Sequence, residues 1–198
     1  NSIVLHAGNV YRAITYQIIK ENIPFEKMKS VDLKKLFEKF EISIKIEDGE
    51  SVVYAHGKKI DDSELQSLEN SMAVSKISNM ASNDNAYKIV REYIRYYNKD
   101  YNIIFSGRDT IKIYPEIDYH FFLKADIDKR AKWKTKQYDD KADEKKVKEN
   151  ILKRDELQEK SGYYEIYNNT IVIDVSDSKS VEESTKMVLK NIIINGKE

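Results

Sequence analysis

Three short stretches of this 198-residue chain are apolar without alternation: 102–105 (Asn-Ile-Ile-Phe), 120–124 (His-Phe-Phe-Leu-Lys) and 170–174 (Thr-Ile-Val-Ile-Asp). A strand with one wet face alternates apolar and polar residues, whereas a strand that is apolar throughout calls for cover on both faces, as in a parallel sheet. Helical spacing fills the intervals. Over 11–21 the apolar-side positions are Tyr11, Ile14, Thr15, Ile18 and Ile19, ending near Pro24. Residues 32–40 carry Leu33, Leu36, Phe37 and Phe40 behind Asp32, a natural N-cap. Stretches 65–82, 86–97 and 181–194 also read as helices, and the charged run 126–160 as helix–lid–helix.

The period changes once. Ile42, Ile44 and Ile46 alternate, Asp48-Gly49 turns the chain, and Val52 and Tyr54 resume the alternation, which is a hairpin. A short strand at 3–5 precedes Gly8. Buried strands alternating with helices, with one early hairpin inserted, predict an α/β fold: a parallel sheet with helices on both faces and a small α+β insertion.

Composition removes several classes of function. Lys+Arg and Asp+Glu number 34 each, so the net charge is zero, which argues against a general nucleic-acid or acidic-membrane binder. There is no cysteine, so disulfides and thiolate metal sites are excluded, and His6, His56 and His120 have no metal-ligand spacing. No apolar run approaches the ~20 residues that span a bilayer. A cytoplasmic monomer that engages neither membrane nor nucleic acid is the expectation.

In a parallel sheet, ligands sit beyond the carboxyl ends of the strands. Gly8, Gly107 and Asp174 fall at or just past such ends. After Gly107 come Arg108 and Asp109, then a β-rich run, 110–114, that stops at Pro115. A guanidinium there offers a planar fork for phosphate, and a carboxylate can accept from an amine or hydroxyl. A strand-end ion pair or simple turn accounts for the same three residues.

The wider context carries a resemblance. "AGNVYRAITYQIIKENI" resembles the Asp-Thr/Ser-Gly-Ala-Met/Ile-Tyr-Arg segment of bacterial cytidylate kinases, and "LENSMAVSKIS" resembles their Val-Ser-Asn-Ala-Val-Ser helix. "GRDTIKIYPEIDYHFFLKADIDKRAKWK" is similar to their Gly-Arg-Asp block, following strand and lid start. "ILKRDELQEK" and "NTIVIDVSDSKSVEEST" resemble their Ile-x-x-Arg-Asp helix and last strand, so the likeness runs in order over nearly the whole chain.

The resemblance implies a nucleoside-monophosphate-kinase-like core at 1–39 and 69–198, a lid near 126–162 and a monophosphate-binding insertion at 40–68. It implies transfer of the terminal phosphoryl of ATP, with Mg²⁺, to CMP or dCMP. Gly8 would lie against the acceptor, Arg12 and Arg108 would bind its phosphate, and Asp109 would accept from the cytosine amine. Ser75 would touch the base, Lys88 stands near the place of a base-contacting arginine, and Asp155 would complete the acceptor site. Arg130, Lys132, Lys134 and Arg154, all within the lid, would act on the transferring phosphoryl.

Departures from the pattern are equally specific. The six glycines are isolated, and no Gly-x-x-x-x-Gly-Lys-Ser/Thr run occurs. In this family that loop cradles the ATP phosphates in a first strand–loop–helix. The expectation is therefore that these residues begin after it and are inactive by themselves. His6 and Ala7 replace Asp and Thr/Ser, Asn9 replaces a small residue, and "TIK" is one residue short. The arginine-rich return of the lid reads "ELQEKSGYYEIYNN". The alternative is an inactive kinase-like module that binds a nucleotide or a protein partner.

Overall fold

A computed structural model describes residues 1–25, 32–78, 83–137, 142–160 and 162–192, with the backbone alone at Ser75, Lys76, Ser78 and Asn83. The chain divides into two compact units, Asn1–Pro115 and Glu116–Glu198.

The first unit opens with β1 (Ser2–His6) and α1 (Gly8–Lys20). Val10, Ala13, Ile14, Gln17 and Ile18 of α1 are buried, the 3–4 spacing of one helix face. The helix stops where Asn22 turns left-handed (φ 51), with Asn22 N–H bonding Ile19 C=O and Ile23 N–H bonding Ile18 C=O, a Schellman stop. α2 (Leu33–Lys39) starts at Asp32, whose carboxylate accepts from Lys34 N–H at 2.9 Å. Its exit repeats the α1 device at Glu41 (φ 48) and seats Phe40 with no exposed surface.

The hairpin follows as β2 (Ser43–Glu47) and β3 (Glu50–Ala55). Asp48 (φ 50) and Gly49 (φ 82) join them, both central residues having the positive φ of a type I′ turn. His56-Gly57 repeats the turn into the two-residue β4 (Lys58–Lys59). α3 (Asp62–Leu65), α4 (Leu68–Ser78), α5 (Asn83–Tyr97), β5 (Asn102–Ser106) and the single turn α6 (Thr110–Ile113) complete the unit.

The strand order is β2-β3-β1-β5, with β4 on β3. β1 and β5 are parallel in register from Ser2↔Asn102 to His6↔Ser106. β3 meets β1 in parallel at Val4↔Glu50, so the hairpin extends the sheet that holds β1. Leu5, Ile14, Ile18, Leu33, Phe40, Ile77 and Val90 meet in the core at 1% exposure or less. Trimming such a side chain to alanine costs about 2–5 kcal/mol.

Along the outer edge of β2, two tyrosines of α5 take both polar groups of Ile44. Ile44 N–H donates to the Tyr93 hydroxyl (3.1 Å), and the Tyr97 hydroxyl donates to Ile44 C=O (3.2 Å).

The second unit contains β6 (His120–Lys124), α7 (Ile127–Gln137), α8 (Glu144–Lys160), β7 (Thr170–Asp174) and α9 (Val181–Leu189). β6 and β7 are parallel from His120↔Thr170 to Lys124↔Asp174. α7 packs on α8, burying Ala131, Thr135 and Val147. Ser180 caps α9, accepting from Glu183 N–H at 3.1 Å.

The α/β class and the parallel pairing agree with expectation, while several local readings need correction. The apolar runs are not covered on both faces: Ile104 is 58% exposed, Leu123 52% and Val172 46%. In β5 the side chains alternate exposed and half-buried, and the β6–β7 pair is only two strands wide, so neither arrangement encloses both faces. Residues 110–113 form a helical turn, because Tyr114 N–H bonds back to Thr110 C=O and Ile113 N–H to Asp109 C=O. Positions 65–78 belong to two helices, α3 ending at Leu65 and α4 starting at Leu68, and the expected continuation over 79–82 lies outside the described residues. α9 stops at Leu189, short of the expected 194.

Candidate functional site

The parallel register of β1 and β5 brings their carboxyl ends side by side, and Ala7 N–H donates to Ser106 C=O at 2.8 Å. A Cβ on Gly107 would stand 3.0 Å from Ala7 Cβ and 3.3 Å from Thr110 Cγ2, so any side chain here would press the two chain exits apart. His6 closes the end of β1. Its Nδ1 is 2.5 Å from Ser106 Oγ, its Nε2 is 3.5 Å from the Glu50 carboxylate, and its N–H donates to Ser51 Oγ.

Gly8 is exposed at the first position of α1. One turn on, Arg12 is half-buried, and its Nη1 donates to Leu65 C=O (3.1 Å) and to Ser71 Oγ (3.0 Å). Ser75 lies on α4, and its side chain is outside the described residues.

Past β5, Arg108 is exposed and Asp109 is 8% exposed. A buried carboxylate is costly without partners. The Tyr87 hydroxyl donates to Asp109 Oδ2 at 2.6 Å, and Lys112 Nζ lies 3.8 Å from Oδ1. Arg91, one turn after Tyr87 on α5, donates through Nε to Ile113 C=O (2.7 Å) and through Nη2 to Lys112 C=O (3.2 Å), satisfying carbonyls that α6 is too short to bond. Lys88 itself is exposed.

Tyr87 and Arg91 were missed by sequence reasoning. The available signal was their i, i+4 spacing on the border of the buried stripe Ala86, Ile89, Val90 and Ile94.

In the second unit, Arg130 and Asp155 pair with each other. Arg130 Nη1 and Nη2 reach the two carboxylate oxygens at 2.5 and 3.0 Å, and the Tyr164 hydroxyl donates to Oδ1 at 2.8 Å. The hydrogen bond to Asp155 raises the pKa of the guanidinium above its ordinary value, against the opposing effect of burial. Lys134 Nζ donates to Gln137 Oε1 at 2.9 Å, and Arg154 is half-buried on α8. At the end of β7, hydrogen bonds from Ser176 and the Lys124 ammonium at 3.1 Å lower the Asp174 carboxyl to about 2. Burial lowers the pKa of His120, whose Nδ1 is 2.8 Å from Thr170 Oγ1.

This arrangement gathers Gly8, Arg12 and the Gly107–Asp109 turn in one unit, and Arg130, Lys134, Arg154 and Asp155 in the other. Among the described residues, no helix is long and apolar enough to cross a membrane.

Comparison with known proteins gives the same family throughout. The family model described as cytidylate kinase matches residues 1–193. The cytidylate kinase of Clostridioides difficile is 26% identical over 194 residues, covering 95% of this chain and 85% of that protein. That of Caldanaerobacter subterraneus is 29% identical over 196 residues, covering 94% and 83%. A bifunctional pantoate ligase/cytidylate kinase of Prochlorococcus marinus is 32% identical over 161 residues, 76% of this chain and 30% of that longer protein. With its parallel β1–β5 pair and a family match over residues 1–193, this chain belongs to the cytidylate kinase family.

Proposed function

We propose that the chain is a divergent cytidylate kinase that binds CMP or dCMP as the acceptor of the terminal phosphoryl of ATP. The observation that carries this reading is Asp109: a buried carboxylate, braced by Tyr87, at the exit of a parallel strand. Cytosine presents an exocyclic amine where uracil presents a carbonyl oxygen, so an acceptor-only group discriminates between them. Arg12 and Arg108 supply guanidinium forks for the phosphate, with Gly8 beside it. Ser75 and Lys88 are assigned to the base, and residues 40–68 to the monophosphate-binding insertion.

In the second unit, Arg130 and Asp155 clamp α7 to α8, and Lys134 and Arg154 are the cations that offset charge on the transferring group. ATP and Mg²⁺ enter through the family's chemistry. Among the described residues, no three His, Asp or Glu side chains converge on a metal position, and no glycine-rich phosphate loop occurs in the sequence. A cytoplasmic monomer fits a chain without cysteine.

The test is titration of the chain with CMP and UMP by calorimetry. CMP should bind the more tightly; binding of neither nucleotide overturns the reading and favours a module that engages a protein partner.

A further inference from the structure

Asn70 is 2% exposed and joins three parts of the first unit. Its amide nitrogen donates to Arg12 C=O (3.0 Å) and to Leu65 C=O (2.9 Å), and its Oδ1 accepts from Thr15 Oγ1 at 2.5 Å. The same Leu65 carbonyl accepts from Arg12 Nη1, whose other partner is the hydroxyl of the adjacent Ser71. The backbone of Arg12, the tip of its side chain and the residue one turn further along α1 are thus all tied to residues 65–71.

We propose that Asn70 and Ser71 are positioning residues that hold the Arg12 guanidinium in the orientation that receives the acceptor phosphate. This rests on the reading of Arg12 as a phosphate ligand. An arginine side chain carries much rotamer entropy, and a ligand that must immobilise it binds more weakly for that reason. Here the protein has already fixed one end. Arg12 Nη1 is directed at Leu65 C=O and Ser71 Oγ, which sets the plane in which the guanidinium lies. A buried amide serves this purpose better than an apolar residue, because it fixes the Leu65 carbonyl and the Arg12 backbone against one another.

The role predicts a distinction that a purely structural one does not. Cytidine carries the base without the phosphate, so a change confined to Arg12 should affect CMP and leave cytidine alone. The experiment is calorimetric titration of CMP and cytidine into the parent chain and into Ser71→Ala, Asn70→Ser and Arg12→Ala. Ser71→Ala and Asn70→Ser should each weaken CMP by about 10-fold, the scale of one hydrogen bond to a charged group, with cytidine unchanged. If the Asn70 variant does not fold, Ser71→Ala decides alone, since it removes only a hydroxyl. Equal weakening of CMP and cytidine overturns the proposal. If Arg12→Ala abolishes CMP binding while the other variants bind normally, the positioning role falls and the phosphate role stands. If Arg12→Ala binds CMP as the parent does, or the parent binds none, both fall.

Discussion

The Tyr87 hydroxyl bonds Asp109 Oδ2 at 2.6 Å, joining the middle of α5 to the turn that leaves β5. The bond fixes the rotation of a carboxylate buried to 8% exposure, and so the direction in which it presents its oxygens. Base choice should therefore depend on both residues, in different ways. Asp109→Ala should reduce the preference for CMP over UMP by about 1–3 kcal/mol, the cost of an unpaired buried polar group. Tyr87→Phe should give a smaller loss in the same direction. Paired CMP and UMP titrations decide the matter: equal weakening of both nucleotides would mean that Asp109 only shapes the turn.

Gly107 should tolerate no side chain. The alanine Cβ at 3.0 Å from Ala7 Cβ meets a neighbour held by the 2.8 Å bond between Ala7 N–H and Ser106 C=O, so it cannot move away alone. Gly107→Ala should destabilise the first unit by about 1–3 kcal/mol, as overpacking does. Urea unfolding followed by circular dichroism measures it; an unchanged midpoint would show that the two exits separate freely.

Asp155 should support the second unit through Arg130. The two side chains are 22% and 33% exposed, between the surface and buried cases, so the loss should fall between those extremes. Asp155→Ala should cost about 1–3 kcal/mol by removing the carboxylate that the Arg130 guanidinium and the Tyr164 hydroxyl both reach. Arg130→Met should cost at least as much, because it leaves the Asp155 carboxylate, the more buried of the two, without the guanidinium. Chemical denaturation of both variants gives the ranking, and the reverse order would refute it.

Asp174 should contribute to the acid limb of stability. Its folded pKa of about 2 lies below the ordinary 3.8, so the ionised form favours the folded chain. The contribution is complete above about pH 4 and is lost as the pH falls through 2. The carboxylate is half exposed, so salt should screen part of the effect. Melting curves of the parent and Asp174→Asn between pH 5 and 2 should converge at the acid end; parallel curves would assign the acid sensitivity elsewhere.

Much of the fold was legible because its signals are local. The Asp48-Gly49 turn, the Asp32 cap and the 3–4 spacing of α1 each lie within a few residues, and each produced the element expected. The errors arose where local pattern met tertiary context. Thr110 to Tyr114 have β propensity, yet the carbonyls of Lys112 and Ile113 have an arginine waiting on α5, and that partner favours the helical turn. The apolar content of β5 suggested burial on two faces, but periodicity reports composition and cannot reveal how wide a sheet is. At the site, Asp109 was visible because it follows a strand end and Gly107, and Arg12 because it matches the Tyr-Arg of the family's segment. Asn70, Ser71 and Tyr87 were not, since their partners lie 22 to 59 residues away.

The tyrosine pair over β2 bears on what the molecule avoids. An edge strand with unsatisfied N–H and C=O groups is a template for another chain, and β2, rich in isoleucine, would otherwise be an attractive one. At Ile44 both groups are already bonded by hydroxyls from α5, and the rings of Tyr93 and Tyr97, stacked 6.5 Å apart, stand over the edge. A foreign strand that pairs at Ile44 must displace two hydrogen bonds and two aromatic rings. The helix that braces Asp109 through Tyr87 thus also guards the β2 edge at Ile44, through two tyrosines further along the same helix.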